Sequence, residues 1–319
     1  MHFSNFFNLN LNGHEDIDFI DINLNTDIKL FIDPCIIENS NDSFSKECSY
    51  VINSFFDSIF NCCTSNNDYE LYKLLDFGHE PNETKLGLSR HQSSGKGATS
   101  KVLYDIFKEV SNKNLIKDGI IANPMDLCVF VDNFAEDRLS DLLTNILRKK
   151  LYDFTKLQCK KLNIPLTDKK QVLGCYWDPH LNCWNTLEDY PLKANNLLLL
   201  LVPKTFVRPN YFYSVSQYLQ HKVLSQRQTY HQVNQTSLAK ITYDKHGNVV
   251  FKKPSKKSIY TAEIKGHPRK SYAQIYSKKN PDTLKDFRKY MLQKSLLPEA
   301  KLSNEELDRI VYKKSVKIS

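Results

Sequence analysis

With 319 residues, 41% of them hydrophobic and 12% aromatic, the chain can bury the core of one large domain or two ordinary ones, which excludes global disorder. The longest wholly apolar run, residues 197–202, is far too short to cross a bilayer, and the acid-containing opening residues match neither a secretory nor a transit peptide. The expected setting is therefore cytoplasmic and away from membranes, with the eight scattered cysteines held as reduced thiols. The formal charge of +8 conceals a division: residues 1–150 carry 14 Lys and Arg against 23 Asp and Glu, or −9, and residues 151–319 carry the remaining 30 against 13, or +17.

In chain order, alternation through Ile17, Phe19, Ile22 and Leu24, then Ile28, Leu30 and Ile32, predicts two strands meeting near Asn25-Thr26 and ending at Asp33-Pro34. Val51, Phe55 and Ile59 stripe an amphipathic helix over 43–60, and a polar, glycine-rich loop over 77–100 leads into a helix over 99–110. An apolar strand is expected over 127–131. Leu139, Leu142, Leu143, Ile146, Leu147 and Leu151 then mark one side of a long helix running towards Leu162.

Strands over 171–176 and 197–202 follow, the second apolar on both faces and therefore read as a buried central strand. Beyond Pro203 the chain reads as helical and basic, interrupted by a hairpin whose strands, 240–243 and 249–251, flank the turn sequence from Asp244 to Asn248. Asn280-Pro281 starts another helix, and Ser303 with Glu306 forms a capping box for the last. The expected fold is α/β or α+β: a mixed sheet with flanking helices over 1–203, and a mainly helical basic region with one β-hairpin over 204–319.

Four constellations could carry chemistry. His79, Glu80, Glu83 and Lys85 precede the glycine-rich stretch, and phosphodiester cleavage needs carboxylates for a divalent cation beside a lysine that steadies developing charge. Glu83-Thr84-Lys85 resembles the second half of the PD-(D/E)xK nuclease signature, with Asp33 in the role of the distant acid. That resemblance implies metal-dependent cleavage. Asp132, Glu136, Asp137 and Asp141 follow the expected strand at 127–131, and Asp137 and Asp141, four apart, are helical neighbours that a cation would reconcile.

Asp244 with Glu263-Ile264-Lys265 repeats the acid and acid-x-lysine pattern in the basic half. Cys159, Cys175, His180 and Cys183 offer zinc-ligand chemistry without a C-x-x-C knuckle. Two familiar motifs fail. His79-Glu80 meets Glu83 where a zinc protease helix needs His, and Pro81 breaks the helix; Ser93 to Gly97 lacks the first glycine and the final Ser or Thr of a phosphate loop.

The function expected from these residues is a metal-dependent nuclease, a hydrolase of bacterial restriction or phage-defence type. Glu80, Glu83, Lys85, Asp137 and Asp141 are its catalytic residues, and all of these but Lys85 are ligands of Mg2+. Lys252, Lys253, Lys256, Lys257, Arg269 and Lys270, interleaved with tyrosines, are the expected nucleic-acid contacts. The alternative is a non-catalytic nucleic-acid-binding adaptor that recruits an effector encoded nearby as its protein partner.

Overall fold

The structure is a computed structural model that describes residues 1–78, 81–88 and 96–313, with backbone alone for 96–99. Its elements are, in chain order, α1 (Phe3–Phe6), β1 (Phe31–Ile32), α2 (Pro34–Glu38), α3 (Ser43–Ser65), α4 (Asp68–Leu75), α5 (Lys96–Asn112), α6 (Pro124–Phe130), α7 (Glu136–Ile146) and α8 (Arg148–Lys161). Strands β2 (Gln171–Asp178), β3 (Cys183–Asp189), β4 (Leu192–Ala194), β5 (Leu197–Leu199) and β6 (Val207–Arg208) follow. The basic region holds α9 (Val215–Tyr218), a π-helical turn Leu219–Val223, α10 (Leu224–Val233), β7 (Lys240–Tyr243), β8 (Val249–Lys252), α11 (Lys256–Ile259), a second π-helical turn Tyr260–Ile264, α12 (Arg269–Lys279), α13 (Pro281–Ser295) and α14 (Asn304–Tyr312).

The class is α+β. Strands of the described residues pair only in twos, all antiparallel: β1 with β6, β2 with β3, β4 with β5, and β7 with β8. The expected mixed sheet is thus replaced by small ribbons set among helices. Residues 17–32 do alternate into the core, but outside β1 they make only isolated bridges, Phe19 to Pro203 and Ile28 to Leu86 among them. The chain there is buried by side-chain packing rather than by a ladder.

The run 127–130 is helical and not a strand, with Val131 as the extended C-cap. Asn123 accepts from the Asp126 N–H, the Asp126 carboxylate accepts in return from the Asn123 N–H, and Pro124 supplies the first turn. A short apolar run has no periodicity of its own, so this capping box decides the outcome. Of 197–202, only Leu197–Leu199 forms a strand; Leu200 and Leu201 donate instead to the Glu83 carbonyl and the Thr155 hydroxyl.

Other elements follow their local chemistry. Asp42 caps α3, which runs past its expected end to Asn66, whose left-handed φ of 56° stops it. The leucine stripe is divided at Leu147 between α7 and α8. Both the β7–β8 hairpin and the Ser303–Glu306 capping box form as their sequences specify.

One buried cluster reaches from Phe3 to Val311 and therefore crosses the expected boundary at 203/204. Tyr213 and Tyr218 lie with ring centroids 4.8 and 4.9 Å from Phe287. At the far end, α14 closes on the opening segment. The Tyr312 hydroxyl donates to buried Asp21, which also receives bonds from Ser4, and the buried ring of His14 meets Asp308 at 2.6 Å. No helix of the described residues is long and apolar enough to cross a membrane.

Candidate functional site

The segment 81–88 is fixed to the body of the protein by Arg148, the first residue of α8. Arg148 is fully buried. Its guanidinium donates to Glu83 Oε1 at 2.9 Å, to the Leu173 carbonyl at 2.9 Å and to Asn145 Oδ1 at 2.8 Å. Space for it comes from Gly174, which has a φ of 105° beside an irregularity in β2; a Cβ there would stand 2.8 Å from Arg148 Nε. Glu83 Oε2 is buried with no hydrogen-bond partner among the described residues, which leaves one acceptor of the expected metal ligand uncommitted.

The other proposed site residues of the first half are arranged along α7. Asp137, Asp141 and Asn145 succeed one another at four-residue intervals, so they share a helix face that points towards the Arg148–Glu83 pair at its C-terminal end. At about 1.5 Å per residue, Asp137 stands about 12 Å along the axis from Asn145, and Asp141 about 6 Å. Asp141 is thus near the Glu83 end, whereas Asp137 is too far along the helix to meet Glu83 around a single ion. Among the described residues no group of three or more His, Cys, Asp or Glu is placed to hold a metal ion, the zinc candidates Cys159, Cys175, His180 and Cys183 included. His79 and Glu80 lie outside the described residues. Lys85 adopts a left-handed φ of 54°, and its carbonyl accepts from the Ile28 N–H.

Asp33, the distant acid of the nuclease pattern, is committed to structure. It caps α2 through Cys35, accepts from the Phe212 N–H at 2.9 Å, and is fully buried. Burial pushes its carboxyl up to about 6, against the opposing pull of those two N–H donors and Arg208. A raised acid favours the native state below its unfolded value near 3.8, and that contribution is lost as pH climbs through 6, on the order of 3 kcal/mol in all. In Asp33→Asn the titration is gone. Urea unfolding at pH 4 and pH 7 is expected to show the variant furthest below the wild type at pH 4, with the gap narrowing at pH 7; a pH-independent gap would contradict this.

In the basic half the six expected nucleic-acid contacts separate into two kinds. Lys252, Lys253, Lys257 and Arg269 are exposed, and Lys256 is half-buried with its ammonium on the Gln220 carbonyl at 2.6 Å. Lys270 is a correction: its ammonium donates to the Val131 and Phe134 carbonyls, 2.9 Å each, in the connection between α6 and α7. Burial lowers its pKa, and it braces two helices instead of facing solvent. The Val131 carbonyl at the C-cap of α6 and the Phe134 carbonyl in the loop before α7 supply the reason, since both accept and a lysine stem can reach them through apolar surroundings.

The Asp244 and Glu263 carboxylates are likewise taken up by structural bonds. Asp244 accepts from the His246 and Asn248 amides of the hairpin turn. Glu263 takes two bonds from Arg227, at 2.9 and 2.6 Å, with His231 at 2.7 Å and the Tyr272 hydroxyl at 3.1 Å. Burial raises the Glu263 carboxyl, but the bonds from Arg227 and His231 outweigh it and leave the pKa lowered.

The surface feature that the sequence marks as a hairpin but not as an interface is the β7–β8 hairpin itself. In its register Ile241 faces Phe251 and Tyr243 faces Val249, which puts four apolar side chains on one face, while Lys240 and Lys252 pair on the other. Tyr243 is 71% exposed, and Ile241, Val249 and Val250 are exposed as well. Lys240 and Lys252 on the opposite face, Lys245 in the turn and Lys253 just past β8 are all exposed. The periodicity is readable, but nothing in a single strand pair says which face meets a core.

Residues 8–214 match one family model, that of a domain of unknown function (DUF8370). No curated protein and no solved structure matches the chain.

Proposed function

The chain belongs to the DUF8370 family, and on that premise we propose that it is a nucleic-acid-binding protein in which the basic region beyond the family match grips a single strand. The supporting observation is the β7–β8 hairpin, whose exposed apolar and aromatic face belongs to a ribbon that carries four exposed lysines, Lys240 and Lys252 on its other face. A two-stranded ribbon with one apolar face bare is marginal alone and gains by covering that face. Lysines neutralise phosphates, and Tyr243 offers a plane on which an unpaired base stacks. Tyr243→Ala removes that plane without touching the core. Fluorescence anisotropy with a labelled strand of about 20 nucleotides is expected to report a loss of about 1–3 kcal/mol in binding. Unchanged affinity would remove the hairpin from the interface.

A second reading, Mg2+-dependent cleavage, is favoured by the unpartnered Oε2 of Glu83. In that reading Glu83 and Asp141 hold the ion, and Lys85 stands by the cleaved phosphate. The adjacent Arg148 guanidinium competes with any cation for Glu83, so binding without turnover is the reading that the geometry supports better. A protein encoded nearby would then supply any catalytic step as the partner of an adaptor.

A further inference from the structure

A cavity of about 530 Å³ opens between the first turns of α3, the α7–α8 junction and the end of β2. Its size falls within the range of small-ligand sites. Its floor is apolar: Val51, Ile146 and Trp177 are buried there, and the Trp177 indole N–H is already satisfied by Ser54 at 3.1 Å. Two aromatic rings stand at its mouth. Tyr50 is 54% exposed on the edge of this apolar recess, and its ring centroid lies 6.2 Å from that of His180.

Three lysines and two carboxylates, Glu47 and Asp178, stand on the rim. Lys150 is paired with Glu47 at 2.6 Å and Lys149 with Asp153 at 2.5 Å, whereas Lys46 has no ion-pair partner among the described residues. Asp178 turns one carboxylate oxygen to the amides of His180 and Leu181, which fixes the turn that carries the second ring.

An apolar floor, exposed ring faces and a mixed-charge rim on which Lys46 has no ion-pair partner among the described residues together match a ligand that is flat and aromatic at one end and anionic at the other. We propose that this cavity binds a mononucleotide, the base against Tyr50 and His180 and the phosphate beside Lys46 and the Lys149–Lys150 pair. A fatty or purely aromatic ligand would leave the cations unused, and inorganic phosphate would leave the recess empty. Every lining residue lies within the family-matched span 8–214 and away from the hairpin, so this site does not depend on the strand-binding reading.

Thermal unfolding and titration calorimetry of the full chain with AMP, GMP, CMP and UMP test it, with the free nucleosides and inorganic phosphate as controls. At least one nucleotide is expected to stabilise the protein saturably and more than its nucleoside or phosphate alone. Lys46→Glu and Tyr50→Ala alter exposed side chains, so the fold should survive, and each is expected to weaken nucleotide binding by roughly tenfold or more. Circular dichroism confirms that the variants are folded before binding is compared. No shift with any of the four nucleotides, an equal shift with phosphate alone, or full affinity in both variants would overturn the proposal.

Discussion

Replacement of Arg148 by Met is expected to destabilise the protein by about 3–5 kcal/mol, the cost of breaking a buried ion pair from one side. Methionine matches the stem but offers no donor. Glu83 Oε1, the Leu173 carbonyl and Asn145 Oδ1 would each lose a bond of 2.8 to 2.9 Å, and the Glu83 carboxylate would lose the cation that offsets its burial. Solvent cannot fully repair this, because the Arg148 side chain is completely buried. Equilibrium urea unfolding should show the loss in the midpoint, and the double variant with Glu83→Gln should fall short of the sum of the single effects. Gly174→Ala approaches the same pair from the other side: its Cβ would crowd the guanidinium, and a φ of 105° resists any side chain. A change below about 1 kcal/mol for Arg148→Met would show that the pair contributes little.

That pair also shows where a sequence can and cannot be read. Arg148 sits between Leu147 and Leu151 on the leucine-striped helix, where its charge looks like an exposed interruption. Two weak signals point the other way. Asn145 adds a second polar group to the same stretch, and Gly174 inside a strand marks a close approach by another group, yet only three dimensions join residues 83, 145, 148 and 173. The helices over 43–60 and 99–110, the β7–β8 hairpin and the last capping box are legible because each is decided by neighbours in sequence.

The strand expected at 127–131 gives way to a helix because an apolar run suits a buried strand and a buried helix equally; Asn123, Pro124 and Asp126 are the informative residues. The candidate acids divide for a related reason. Charge and spacing identify carboxylates, but they do not reveal whether a carboxylate caps a helix, as Asp33 does, or is already saturated, as Glu263 is by Arg227, His231 and Tyr272. Nor does a lysine in a basic run disclose that two carbonyls of the α6–α7 connection claim it, as they claim Lys270. Net charge by halves survives these particulars, since it is a sum over many side chains, and it remains the broadest support for a polyanion partner.

The most direct measurement is the salt dependence of single-strand binding by the wild type and by the triple variant Lys252→Glu, Lys253→Glu, Lys257→Glu. All three lysines are exposed, so the changes should leave the fold intact. Every phosphate of a single strand that the variant no longer neutralises reduces the slope of log affinity against log salt by about 0.7. The expected slope is therefore shallower by about 2, with an affinity roughly a hundredfold lower at about 0.1 M salt. Absence of strand binding by the wild type, or the same slope and affinity in both proteins, would contradict a basic region that grips nucleic acid.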